Sequence, residues 1–116
     1  MLETMTKPTM WLEIGRDDFV DAIRRLKPER VLKSVLKREI QIGFDRGEAV
    51  FNVNGAETRR AAKGKWPGYV SFNFGRALTY TEVLPATDPV RLEFIDDRLR
   101  IDSSRLAATW SKAPTT

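Results

Sequence analysis

Histidine and cysteine are both absent from this chain of 116 residues, and no apolar run approaches the roughly 18 residues of a membrane-spanning helix. Without cysteine there is no disulfide, no thiol catalysis and no thiolate-bound metal, although the cellular compartment stays undetermined. Without histidine the usual general base near neutral pH and the commonest transition-metal ligand are both missing. Catalysis would fall to carboxylates, lysine or tyrosine, so the expectation is a protein that is not an enzyme and has no cofactor or bound metal. The opening MLETMTKPTM lacks the continuous apolar core of a signal peptide, which points to a cytoplasmic protein with no membrane partner.

What is present describes an ordinary globular domain. Hydrophobic residues make up 41% and charged residues 31%, enough for one core without a metal or disulfide to hold it. Residues 1–9 are polar, contain Pro8 and read as a flexible lead-in; residues 10–111 read as a single domain, and 112–116 as a flexible tail. Twenty basic residues against 16 acidic ones give a net charge of +4, compatible with a polyanion partner without requiring one.

The chain is organised around WLEIGRDDFVDAIRRLKP, residues 11–28. Trp11, Leu12 and Ile14 form a short apolar run that Gly15 breaks. Asp17 or Asp18 can then cap a helix whose Phe19, Ala22, Ile23 and Leu26 recur at helical spacing, and Pro28 ends it. In the next ten residues Val31, Leu32, Val35 and Leu36 keep that spacing among Lys33, Lys37 and Arg38, so a short helix and an ordered loop both fit. From Glu39 the period becomes two. Ile40, Ile42 and Phe44 alternate with polar positions, the turn Asp45-Arg46-Gly47-Glu48 follows, and Val50 to Val53 resumes the pattern, which predicts a hairpin. A further extended piece from Glu57 to Ala62 follows the Asn54-Gly55 turn and leads into the loop from Lys63 to Gly68.

Tyr69 to Phe74 is again a strand, and Gly75 to Leu84 a second helix stopped by Pro85. Val90, Leu92 and Phe94 then alternate into the turn Asp96-Asp97, return as Leu99 and Ile101, and lead to a last strand from Arg105 to about Trp110. Setting Leu12 on Val70 also sets Ile14 on Phe72 and Leu26 on Leu84, so the halves 10–62 and 69–111 share one plan. The expected fold class is α+β, a duplicated β-α-β-β-β unit with two helices packed on an antiparallel sheet. The expected core is Phe19, Ile23, Leu26, Ile42, Phe44, Phe51, Val70, Phe72, Leu92, Phe94, Leu99 and Ile101.

Four stretches carry a family resemblance: the opening WLEIGRDDFVDAIRRLKP, the hairpin EIQIGFDRGEAVFNV, the GKWPGYVSF passage, and the closing PVRLEFIDDRLRIDSSRLAATW. In plan and texture they resemble one domain of a DNA sliding clamp, the processivity subunit typified by the bacterial DNA polymerase III beta subunit. The resemblance implies helices lining a concave surface that faces double-stranded DNA, and a sheet facing outward. It also implies a homo-oligomer whose edge strands pair between subunits. Two departures are plain. A clamp ring is built from six such domains, carried two or three to a chain, and this chain has one. The only charges on the second helix are Arg76 and Glu82, whereas the clamp family lines its hole with cations from both helices.

Two basic clusters are candidate DNA contacts. Arg24, Arg25, Lys27 and Arg30, with Arg16, surround the first helix and would meet phosphates by salt-sensitive contacts without base specificity. A solvated helix face with cations favoured near the helix C-terminus is the other reading. Arg59, Arg60, Lys63 and Lys65 beside Trp66 combine charge with an aromatic ring able to stack on a base. Alternatively Trp66 packs a turn onto the sheet, with the charges protecting an edge strand. Asp17-Asp18 and Asp96-Asp97 have the composition of a metal or acid-base pair, but one opens a helix and the other fills a hairpin turn. Two functions follow: a non-enzymatic, clamp-like module associated with DNA through its basic first helix, or a small self-associating or peptide-binding protein with no nucleic-acid role.

Overall fold

The computed structural model describes residues 10–28, 30, 32–83, 87–101 and 104–112. Of the expectations above, the flexible lead-in, residues 113–116 of the tail and the Pro85 helix stop lie outside the described residues. Nine strands and three helices follow one another as β1 (Met10–Ile14), α1 (Arg16–Arg24), α2 (Lys33–Leu36), β2 (Glu39–Asp45), β3 (Glu48–Val53), β4 (Ala56–Lys65), β5 (Gly68–Asn73), α3 (Phe74–Val83), β6 (Val90–Ile95), β7 (Arg98–Ile101), β8 (Ser104–Ala107) and β9 (Thr109–Lys112).

Every strand pairing is antiparallel, in the order β8-β7-β6-β1-β4-β3-β2-β5-β9. This corrects the expected fold. The protein is mostly sheet, with strand outweighing helix more than twofold and three short helices, rather than a duplicated β-α-β-β-β clamp unit with two helices. Two local causes account for the difference. The basic segment after α1 forms a one-turn helix of its own, α2. The single last strand expected from Arg105 to Trp110 is interrupted at Ala108, and its two pieces pair with opposite ends of the sheet, β8 with β7 and β9 with β5.

β4 divides in the same way, its first residues (56–61) pairing with β3 and its last (62–65) with β1. In the part of β4 that pairs with β1, a Cβ on Gly64 would collide with the Trp11 carbonyl oxygen, so only glycine lets β1 approach. Lys63 and Lys65, expected in a loop, are therefore strand residues. The strands at the two ends of the order, β8 and β9, are four residues each and are joined through Ala108. Among the described residues three two-residue hairpin turns, Arg46-Gly47, Asn54-Gly55 and Asp96-Asp97, have positive φ at both central positions, the backbone that matches the twist of the flanking strands.

The core forms where the expected alternation places it. Eleven of the twelve expected residues are buried, and Phe44 is half-buried against them. α1 turns Phe19, Ala22 and Ile23 inward, and the Phe19 ring meets Phe51 of β3 at 6.1 Å and Tyr80 of α3 at 6.4 Å, both edge-on. Burying one such ring stabilises the fold by about 1.5–3 kcal/mol. Neither Asp17 nor Asp18 caps α1. Its first amide donates instead to the Asp88 carboxylate, 3.0 Å away and 72 residues along the chain, while the two aspartates sit in the first turn where the helix dipole favours them. α3 has a side-chain cap of its own: Asn73 Oδ1 accepts from the Arg76 amide at 2.8 Å.

Candidate functional site

The first expected cluster is divided by the fold. α1 carries Asp17, Asp18 and Asp21 as well as its cations, so its exposed face is mixed rather than basic. Arg25 donates from Nε to Asp21 at 2.8 Å, and Arg60 of β4 donates to the same carboxylate at 2.6 Å. Those two guanidiniums, Arg60 first, hold Asp21 below the usual carboxylate range. Arg30 is exposed beyond the helix. Arg24 and Lys27 have no ion pair among the described residues and line a groove.

The fold divides the second cluster as well. Arg59 lies among three carboxylates, with Glu57 at 2.8 Å, Asp45 at 3.3 Å and Glu48 at 3.5 Å, which raise its pKa further. Arg60 turns to the opposite side of β4 and is taken up by Asp21 and Asp18. Lys63 reaches Glu13 at 3.8 Å, and Lys65 is exposed. Trp66 is 3% exposed, donates from its indole to the Ile42 carbonyl at 2.9 Å and meets Trp110 edge-on at 5.0 Å. A ring so enclosed offers no face to a base, and its packing role is the one observed. The two aspartate pairs stand at the start of α1 and at the β6–β7 turn, and among the described residues no three metal-ligating side chains converge.

The structure instead opens a groove of about 760 Å³ beside α3. Its apolar lining is Leu36 from α2, Leu78, Tyr80 and Val83 from α3, and Leu106 from β8. Leu36 and Val83 are 40% and 70% exposed, so part of this apolar lining faces water. Three cations, Arg24, Lys27 and Arg76, stand on its margin against one carboxylate, Glu82, and none of the three has an ion pair among the described residues.

The groove's geometry has local causes. Asn73 donates to the Leu36 carbonyl at 3.0 Å while capping α3, which ties α2 to the start of α3. Gly75 permits this approach, since a Cβ on it would lie 2.9 Å from the Leu36 carbonyl oxygen. Thr81, 1% exposed, satisfies its hydroxyl within the helix by donating to the Leu78 carbonyl at 2.6 Å. Leu36, Tyr80, Leu106 and Arg76 are the residues that sequence reasoning missed as parts of a site. The only early sign of them was the apolar pair Leu32 and Leu36 set among basic residues. Among the described residues no helix is long and apolar enough to cross a membrane. Comparison of the chain with protein-family models, curated proteins and solved structures gives no match.

Proposed function

We propose that the protein is a non-enzymatic binding module of the cytoplasm that seats an acidic peptide segment with apolar anchors in the groove beside α3. The observation that carries this reading is the composition of the groove: an open apolar lining margined by a single carboxylate and three cations that have no ion pair among the described residues. Apolar side chains of a bound segment would remove Leu36, Val83 and Leu106 from water, the main source of affinity in helix-in-groove recognition. Carboxylates on its flanks would meet Arg24, Lys27 and Arg76, which set orientation and association rate more than affinity. Double-stranded DNA running along α1 is the weaker alternative, because Asp17, Asp18 and Asp21 lie on that helix and Arg25 is already paired.

The test is fluorescence anisotropy with a labelled probe of about 15 residues, leucine at helical spacing and glutamate between, beside a counterpart with lysine for glutamate. The glutamate peptide is expected to bind, less tightly as salt rises because the cations are exposed, and the lysine peptide is not. If neither peptide binds while a short DNA duplex does, with a steep salt dependence, the nucleic-acid reading replaces this one.

A further inference from the structure

The outer face of the sheet carries a second feature, whose Arg105 neighbours the groove's Leu106 in β8 but alternates to the other side of the strand. Strands β6, β7 and β8 meet at a corner where a small concavity of about 130 Å³ is lined by Ile95, Asp96, Arg98, Arg100 and Arg105. Arg98 and Arg100 are two apart on β7 and so share its outer side, and the register places Arg105 of β8 directly opposite Arg100. Like charges facing each other across an antiparallel ladder are destabilising. Arg100 is engaged within the protein, reaching Glu93 at 3.8 Å and making a further interaction besides. Arg98 and Arg105 have no ion pair among the described residues. With Asp96 at the rim, the lining carries a formal charge of +2.

The geometry points to a binding site for a phosphate dianion at this corner, held by Arg98, Arg100 and Arg105. Three guanidiniums converging on one small concavity match the several acceptor oxygens and double charge of a phosphate monoester better than a single carboxylate. A bound dianion would also offset the charges of Arg98 and Arg105, which have no ion pair among the described residues.

The experiment follows the arginine side-chain N–H resonances of the full chain by NMR during titration with inorganic phosphate and, separately, with O-phosphoserine. Each titration is matched by sodium chloride at equal ionic strength. Saturable shifts are expected with a phosphate species and not with chloride. Binding of both would assign recognition to the phosphate group itself, and binding of phosphoserine alone to a monoester; either result supports the site. The double variant R98Q/R105Q should bind at least about tenfold more weakly, the effect of losing charge-assisted hydrogen bonds. Lys63→Gln, on the same face but outside the corner, should bind as the parent does.

A separate measurement guards against misfolding. In chloride buffer, Arg105→Gln should melt no lower than the parent, because it removes a like-charge pair. Equal response to chloride, an unchanged affinity in the double variant, or a lower melting temperature for Arg105→Gln would each overturn the proposal.

Discussion

Arg59 and Arg60 on β4, and Arg24 and Lys27 at the end of α1, look alike as pairs of basic residues in the sequence, but the fold treats them in opposite ways. The β4 pair is fully engaged: Arg59 by three carboxylates on the outer side of the sheet, Arg60 by two aspartates of α1 on the inner side. The α1 pair has no ion pair among the described residues and stands with Arg76 beside exposed leucine and valine. Charge number therefore says little about where a ligand binds. A cation that neutralises its own protein offers a ligand little, whereas one left over beside an apolar groove is available.

The largest expected effect breaks both regions at once. Phe19 holds α1 against Phe51 and Tyr80, so Phe19→Ala should cost about 3–5 kcal/mol in chemical denaturation. A loss below about 1 kcal/mol would show that α1 is not seated as described. Next comes Arg60→Ala, which should cost about 1 kcal/mol because its side chain is 23% exposed and bridges β4 to α1; no measurable change would place β4 with the free cations.

Asp21→Asn sharpens the same side of the comparison through pH. The parent carboxyl titrates below its ordinary value, so its contribution is fully present above the unfolded carboxylate pKa and is lost as pH falls through the lower folded value. The stability gap between parent and variant should hold at neutral pH and close on acidification below about pH 4. A gap that does not change with pH would show that the Arg25 and Arg60 contacts do not govern Asp21. The smallest expected effect is on the other side. Arg24→Ala with Lys27→Ala should leave stability within about 0.5 kcal/mol of the parent, since neither side chain has an ion pair to lose among the described residues.

Much of the fold was legible because its strands have one wet and one dry side. Ile40, Ile42 and Phe44, and later Val90, Leu92 and Phe94, alternate with polar residues, and that period alone assigned their faces. Glycine and asparagine marked two of the hairpin turns for the same local reason. Partner changes within a strand were not legible. Nothing near Ala61 announces that β4 leaves β3 for β1, or near Ala108 that the last strand splits, because both depend on what packs from elsewhere in the chain. Those two changes, with α2, are what turned the expected two-helix duplicated unit into the observed sheet.

The site was less legible than the fold. Arg24 and Lys27 were expected to carry binding, but as part of a basic helix face that Asp17, Asp18 and Asp21 interrupt. Of the two readings of Arg59, Arg60 and Trp66, a stacking nucleic-acid contact or a packed turn beside protective charges, the structure has Trp66 packed and the two arginines engaged on different sides of the sheet. Arg76 was discounted as a lone charge, yet it lines the groove because the Asn73 cap sets the start of α3 against α2. The arginines at the β6–β7–β8 corner follow from the alternation of β7, but their meeting depends on the β7–β8 register, which the sequence does not state.

The central claim is that the free cations, not the engaged ones, serve the ligand. Its most direct test is the affinity of the leucine-glutamate probe peptide for two double variants, R24A/K27A and R59A/R60A, with folding of each checked by circular dichroism. The expected result is that R24A/K27A loses about tenfold or more in affinity, whereas R59A/R60A, provided it stays folded, binds as the parent does. Retained binding in R24A/K27A, or a loss confined to R59A/R60A, would contradict the assignment of the groove as the ligand seat.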